Sequence, residues 1–262
     1  MSDVRWALIL GASSGFGAAA AQAFAREGHN IFGVHLDRRA ALPRVNALQE
    51  ELKQTGRAVH FFNANAADDE VRQHLIGEMA ALLGDDRIGV FMHSLAFGSL
   101  RPLVRPPDEG GPTLTRRQLD MTLNVMANSL VYWVQDLQQA GLLERARIFA
   151  MTSSGGHTVW PSYGPVSAAK ASLESHIRQL AMELAPHGHT ANSILAGVTD
   201  TPALARIPGA EALKAHAALR NPHRRLTRPE DVAACMVALA RPETYWMTGN
   251  TIRIDGGEDV CG

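Results

Sequence analysis

Three glycines, Gly11, Gly15 and Gly17, follow directly on the apolar run Ala7-Leu8-Ile9-Leu10, with Ser13, Ser14 and Phe16 between them. The small helix formers Ala18 to Ala21 come next. Glycine takes positive φ and lets a ligand approach the backbone. A helix starting just beyond such a turn offers free N–H groups and a positive dipole end to a phosphate. Strand, glycine turn and helix in that order predict a site for the pyrophosphate of a dinucleotide. A second concentration of reactive groups lies in WPSYGPVSAAKASLE, where Tyr163 is followed seven residues later by Lys170, with Ser153 and Ser154 shortly before it. A phenol held near an ammonium is a candidate for moving a proton. The chain has only three tyrosines, so the pairing does not follow from abundance. Of the others, Tyr132 lies in an apolar stretch and Tyr245 beside Trp246, and both read as packing residues.

These groups need a scaffold, and the chain is long enough for one. Its 262 residues suit one well-buried core, and 46 % hydrophobic against 19 % charged is an ordinary globular composition. A net charge of −1 provides no field to gather nucleic acid or an anionic membrane. No apolar run reaches membrane length and no basic-then-apolar leader precedes the first strand, so a cytoplasmic protein is expected. The two cysteines, Cys235 and Cys261, form no ligand pattern. They read as a core and a tail residue in a reducing compartment. His187 and His189 flank a glycine in a turn, and the remaining histidines are scattered, so no metal set emerges.

Apolar runs at 6–10, 30–35, 58–62, 88–92, 147–151, 190–195 and 251–254 alternate with amphipathic stretches at 40–54, 70–83, 116–139, 167–184 and 229–240. That alternation predicts a single α/β domain spanning 1–262, a doubly wound parallel sheet of about seven strands with helices on both faces. Two stretches have no clear period, 101–112 and 198–227. Each follows a strand, where ligands of open α/β sheets sit, so each is either a substrate cover or a plain surface loop. The segment near 198–227 is the stronger candidate for a cover.

In order and spacing over essentially the whole chain, the landmarks resemble the short-chain dehydrogenase/reductases. They are the glycine turn, Ser153, Tyr163 and Lys170, Asn192, Ala196-Gly197-Val198-Thr199-Asp200-Thr201, Thr248-Gly249 and Asp255-Gly256-Gly257. Three departures from the usual pattern occur together. Most members place Tyr four residues before Lys, where this chain has Val166; the long central helix has Met126 where an Asn is usual, flanked by Asn124 and Asn128; and His93-Ser94-Leu95-Ala96-Phe97-Gly98 follows the fourth strand. In this combination the chain is similar to the enoyl-acyl carrier protein reductases that keep an ordinary glycine fingerprint. Leu100-Arg101-Pro102 also resembles that subgroup.

The resemblance implies a Rossmann-type fold and a nicotinamide cofactor. It puts the dinucleotide against Gly11, Ser13, Ser14, Gly15, Phe16 and Gly17. From there the cofactor passes His35 at the second strand tip, Asn65 and Ala66 after the third strand, and Ser94, Leu95 and Ala96 after the fourth. It ends on Gly197, Val198, Thr199 and Thr201, with Lys170 on the ribose. Tyr163 is the implied acid. Ser153 either touches substrate or satisfies local backbone, and His93 lines the pocket through its backbone. Arg38 and Arg39 either pair with a 2′-phosphate, which favours NADPH over NADH, or form a solvated helix start. Pro165 suits the first position of a helix, leaving Tyr163 in the loop before it. Its phenol then reaches further out than one fixed on the helix beside Lys170. Reduction of an enoyl thioester puts hydride on the β-carbon and charge on the thioester oxygen, two carbons away, and a displaced phenol suits that oxygen. The expected substrate is a trans-2-enoyl thioester of coenzyme A or acyl carrier protein. Carbonyl or alcohol oxidoreduction and a non-catalytic dinucleotide-binding homologue are the alternatives. Apolar residues on more than one face of 116–139 and 167–184, among them Met126, Leu130, Trp133, Leu173 and Ile177, predict a homotetramer or homodimer.

Overall fold

In the computed structural model, which describes residues 5–261, strands and helices alternate along the chain. The strands are β1 (Arg5–Leu10), β2 (Asn30–His35), β3 (Val59–Asn63), β4 (Arg87–His93), β5 (Leu143–Ser153), β6 (Thr190–Ala196) and β7 (Thr251–Ile254). They form one sheet in the order β3-β2-β1-β4-β5-β6-β7, and every pairing is parallel. Parallel neighbours need crossovers. The helices are α1 (Gly15–Arg26), α2 (Leu42–Lys53), α3 (Asp69–Leu83), α4 (Arg116–Leu123), α5 (Ser129–Gln139), α6 (Gly164–Leu184), α7 (Ala210–Arg220) and α8 (Pro229–Leu239).

Both faces of the sheet are covered, so its central strands carry apolar residues on both sides. In β1, Trp6, Leu8 and Leu10 point into the core built with α3, α5 and α6, while Ala7 and Ile9 point into the one built with α1 and α8. The alanine-rich side of α1 lets α8 approach through Val232 and Met236. Gly33 of β2 leaves room for the Phe61 ring of β3, where a β-carbon would stand 2.6 Å from Cε1. Side chains cap some helices and not others. Asp68 accepts the Val71 N–H at the start of α3, and Thr115 and Gln118 cap α4 reciprocally. At α1, Ser14 makes no side-chain cap and the first turn holds no acid.

All seven expected strands are present, and several expected details change. β5 begins at Leu143, earlier than its apolar run, because Ile88 pairs with Leu143 and Val90 with Arg147, so that β5 carries the extra residues of a bulge at Arg145, whose φ is 43°. The stretch 116–139 is interrupted by a π-turn, Asn124–Asn128. Part of the segment expected to be irregular, 198–227, is the helix α7. Met126, Leu130, Trp133, Leu173 and Ile177, expected to await a partner subunit, are all buried inside this one. Cys235, expected in the core, is exposed. Tyr245, expected to pack, is 51 % exposed, and Trp246 beside it is 84 % exposed. No helix among the described residues is long and apolar enough to cross a membrane.

Candidate active site

The ends of β5 and β6, the start of α6 and the segment around α7 enclose a cavity of about 260 Å³. β5 finishes at Ser153, and the chain turns through the short helix Ser154–Gly156. It then runs to Ser162, which holds a left-handed φ of 63°. Tyr163 follows as the residue that opens α6, with Pro165 in the first turn. Its carbonyl accepts the Ser167 N–H at 2.9 Å, so Tyr163 is fixed at the helix entry. Tyr163 and Ser153 both line the cavity; burial pushes the phenol pKa up, and the nearby Ser153 hydroxyl opposes that rise. Ser153 Oγ accepts the Gly155 N–H at 3.2 Å. Val166 is buried and lines the cavity three residues past the phenol.

Lys170 is 6 % exposed and donates from Nζ to the Met151 carbonyl at 2.7 Å, which leaves ammonium donors for other partners. Burial lowers its pKa to about 8, against a pull upward from Glu174, one turn along α6. Glu174 is itself held by the Thr152 hydroxyl at 2.7 Å. Neighbouring residues of β5 thus set the register of both α6 side chains. His93 is buried at the end of β4, with Nε2 2.8 Å from Ser129 Oγ. Burial, with the Lys170 charge adding, lowers its pKa to about 3, so it is neutral at physiological pH. His93 does not line the cavity.

The glycine turn has the expected form. Gly11 and Gly15 hold φ of 86° and 53°, and a β-carbon on Gly17 would collide with the Gly11 carbonyl. Gly11 itself packs against the Ser94 carbonyl, and the Ser94 N–H bonds the Leu10 carbonyl at 2.9 Å. Gly15 lies beside the Thr201 methyl, which would stand 3.3 Å from a β-carbon there. Phe16, Ala96, Gly197, Val198, Thr199 and Thr201 all line the cavity, so the turn and the β6 loop converge on it. Ser13 and Ser14 are partly exposed in the turn. The uncapped, acid-free start of α1 beside a cradle without side chains fits a pyrophosphate.

Other expected contacts are modified. The His35 side chain is 3 % exposed and its Nδ1 lies 3.0 Å from Asp37 Oδ2, so it supports the strand tip from beneath and does not present a face to an adenosine. Arg38 and Arg39 are exposed and form no ion pair among the described residues. Asn65 is exposed and accepts the Ala67 N–H at 3.1 Å; Ala66 is buried, and its carbonyl accepts the Trp133 indole N–H at 2.8 Å. Leu95 packs partly on the core. Val198 gives its N–H to the Glu258 carboxylate at 3.1 and 3.2 Å, so that donor is engaged within the protein. Thr199 is buried, with its hydroxyl turned back to the Gly197 carbonyl at 3.0 Å. Asn124 bonds the Ala67 carbonyl at 3.3 Å and Asn128 faces His176 at 3.2 Å, so Met126 is the π-turn residue that lines the cavity.

Residues absent from the sequence reading complete the enclosure. Trp160, Ile207 and Leu213 line it on the outer side. The Trp160 indole donates to the Pro208 carbonyl at 3.0 Å, and Lys214 on α7 pairs with Asp200 at 2.8 Å. Trp160 sits in the same motif as Tyr163 and was the visible signal. No group of three or more His, Cys, Asp or Glu among the described residues is placed to hold a metal ion.

The parallel sheet, glycine turn and Tyr–Lys pair are those of a dinucleotide-binding oxidoreductase. The chain belongs to the short-chain dehydrogenase/reductases, and residues 11–258 match the family model described as enoyl-(acyl carrier protein) reductase. It is 28 % identical over 257 residues to a short-chain dehydrogenase/reductase of Hericium erinaceus, covering 98 % of each chain. With the enoyl-[acyl-carrier-protein] reductase [NADH] of Aquifex aeolicus it shares 29 % over 178 residues, 67 % of this chain and 63 % of the other. With the 3-oxoacyl-[acyl-carrier-protein] reductase of Thermotoga maritima it shares 25 % over 250 residues, 95 % and 96 % of the two chains. The crystal structure of the Aquifex enoyl reductase superposes with a TM-score of 0.85 at 24 % identity, covering 98 % of this chain and 97 % of that one.

Proposed function

We propose that the protein reduces the double bond of a trans-2-enoyl thioester, carried on coenzyme A or acyl carrier protein, at the expense of NADPH. The observation that carries this reading is the place of Tyr163. It opens α6 from the loop, and Val166 occupies the slot beside Lys170 with an apolar side chain. The phenol hydrogen-bonds or protonates the thioester oxygen as charge develops there. Lys170, positive near neutral pH, binds ribose hydroxyls and favours that charge. The residues that would hold the cofactor are the 11–17 turn, Ser94, Ala96, Gly197, Thr199 and Thr201, with Arg38 and Arg39 taking a 2′-phosphate. When bound, the nicotinamide supplies the hydride. Phe97, Leu100, Met126, Val166, Leu204 and Ile207 give the acyl chain an apolar wall, and the segment 198–227 covers it.

A relative named as an enoyl-acyl carrier protein reductase supports this reading. Carbonyl reduction is the second reading, favoured by Ser153, which lines the same cavity as Tyr163 and whose hydroxyl opposes the rise in the phenol pKa. One screen separates them: turnover of enoyl and 3-ketoacyl thioesters, each with NADPH and NADH. Rapid enoyl reduction is expected. Fast ketone reduction with no enoyl turnover would overturn it, and dinucleotide binding without turnover would indicate a non-catalytic homologue. We also assign the protein to the cytoplasm, in keeping with the exposed, unpaired thiol of Cys235. A homotetramer or homodimer is supported by exposed Met182 and Trp246, not by the helix residues first considered.

A further inference from the structure

The turn that follows β7 carries two adjacent acids, and each holds one of the two loops that meet at the cavity. Glu258 is 7 % exposed. Its carboxylate accepts the Val198 N–H through both oxygens, at 3.1 and 3.2 Å. Oε2 also fills, with the Thr227 hydroxyl, the space a side chain on Gly197 would need, 2.8 Å from the position of its β-carbon. Asp259 reaches the other loop. Its oxygens lie 3.1 and 3.2 Å from His157 Nε2, just beyond the Ser154–Gly156 turn, and it accepts Arg253 Nε at 2.9 Å.

The turn is rigidly built. Asp255 accepts the Gly257 and Asp259 N–H groups at 2.9 and 2.8 Å, and the Asn221 amide donates to the Asp255 carbonyl at 2.8 Å. Arg220, the last residue of α7, donates to the Asp259 carbonyl at 3.3 Å and to that of Cys261. The β5 loop, the β6 loop and the cavity's covering helix are therefore all tied to one short stretch of chain.

A carboxylate at Glu258 is an expensive way to fill space. Taking a charge out of water costs several kcal/mol unless good partners meet it, and burial indeed pushes the Glu258 pKa up. An apolar side chain of similar size would pack the same space at lower cost, but it could not accept the Val198 N–H. That N–H lies in the stretch 197–201, whose Thr201 stands against Gly15 of the glycine turn.

We propose that Glu258 is a positioning residue for cofactor binding: by holding the Val198 amide it sets the 197–201 loop in the conformation that receives the nicotinamide end. Asp259 does the same for the β5 loop through His157. With the Val198 N–H engaged, the donors and acceptors left to a ligand from this loop are its carbonyls and the Thr199 and Thr201 groups. The proposal rests on the reading of 197–201 as part of the dinucleotide site.

The test compares wild type, Glu258→Ala and Glu258→Gln by thermal melting, NADPH fluorescence titration, and kcat and KM for both substrates. Glutamine keeps an oxygen for the Val198 N–H without the charge, so it should stay within about threefold of wild type in NADPH affinity. Alanine should weaken NADPH by about ten- to a hundredfold, the scale of a buried N–H left without its acceptor, with a smaller change in the thioester KM and a cooperative melt retained. A glutamine variant as impaired as alanine, or an alanine variant that binds NADPH like wild type, would overturn the proposal. Wild type that binds no dinucleotide would instead defeat the functional reading and take this proposal with it.

Discussion

The ring of Tyr163 occupies the space that a side chain on Gly155 would need, for a β-carbon there would stand 3.0 Å from ring Cδ1 and closer still to Cε1. The phenol is thus located by a missing side chain. Gly155→Ala should push the ring aside and lower kcat by about tenfold or more, since a 1 Å misplacement can cost about 10²-fold. NADPH affinity should be little changed. Wild-type turnover in a folded Gly155→Ala protein would show that the ring position is not critical.

Removing the hydroxyl tests the phenol directly. Tyr163→Phe should lower enoyl turnover by about 10²–10⁴, the usual scale for a lost acid–base group, and leave cofactor titrations unchanged. Adding Val166→Tyr to that variant should not restore enoyl reduction, because a phenol on the helix beside Lys170 points at a different oxygen. Recovery in the double variant would mean that the two positions are equivalent and the placement argument wrong.

Lys170 predicts two opposite pH effects. Its charge is lost as pH rises through about 8, so kcat/KM should fall along a basic limb centred there. Stability moves the other way. The unfolded lysine holds its proton to the ordinary lysine value of 10.5 while the folded one releases it at about 8, so the unfolded chain binds more protons between those values. This group's contribution to stability therefore increases with pH across that window. Melting curves of wild type and Lys170→Met through that range should diverge in slope, and parallel curves would contradict the lowered pKa.

Cofactor choice rests on two unpaired side chains. If Arg38 and Arg39 hold a 2′-phosphate, replacing both with Ala should weaken NADPH selectively, by roughly 1.5–3 kcal/mol for each charged hydrogen bond lost. NADH binding should hardly move. Equal losses for the two dinucleotides would leave the arginines as surface residues, and the buried His35–Asp37 pair would have to be reconsidered.

Assembly has its own test. Trp246, at 84 % exposed, with exposed Tyr245 against its ring and Met247 next in the chain, stands shortly before the edge strand β7. Trp246→Glu should shift the light-scattering mass toward a smaller species without loss of the fold. A wild-type monomer at working concentration would refute the assembly.

Much of this was legible in the residues, for reasons that also mark the limit. The strands stood out because a sheet buried on both faces needs long apolar runs, and Tyr163 could be placed because Pro165 fixes where α6 begins. Helix α7 was hidden because it buries only Ala217 and so has no apolar stripe. The apolar residues of 116–139 and 167–184 suggested a partner, but α5 and α6 bury them within one core of the same subunit. Glu258 carried no signal of its own. Its partner is sixty residues away in sequence, and only the register of β6 and β7 brings the two together.

The contact of Gly11 with Ser94 bears on how the protein folds. Leu10 and Ser94 are far apart in the chain, yet β4 must dock beside β1 before the turn after β1 acquires its final wall. Parallel pairing of this kind forms slowly, because loop closure precedes any gain from contact. An amino-terminal fragment ending after β3 would hold every residue of the 11–17 turn and still lack half of its cradle. Dinucleotide affinity should therefore emerge late in refolding, together with the central strand pair, and not with the first β-α-β unit.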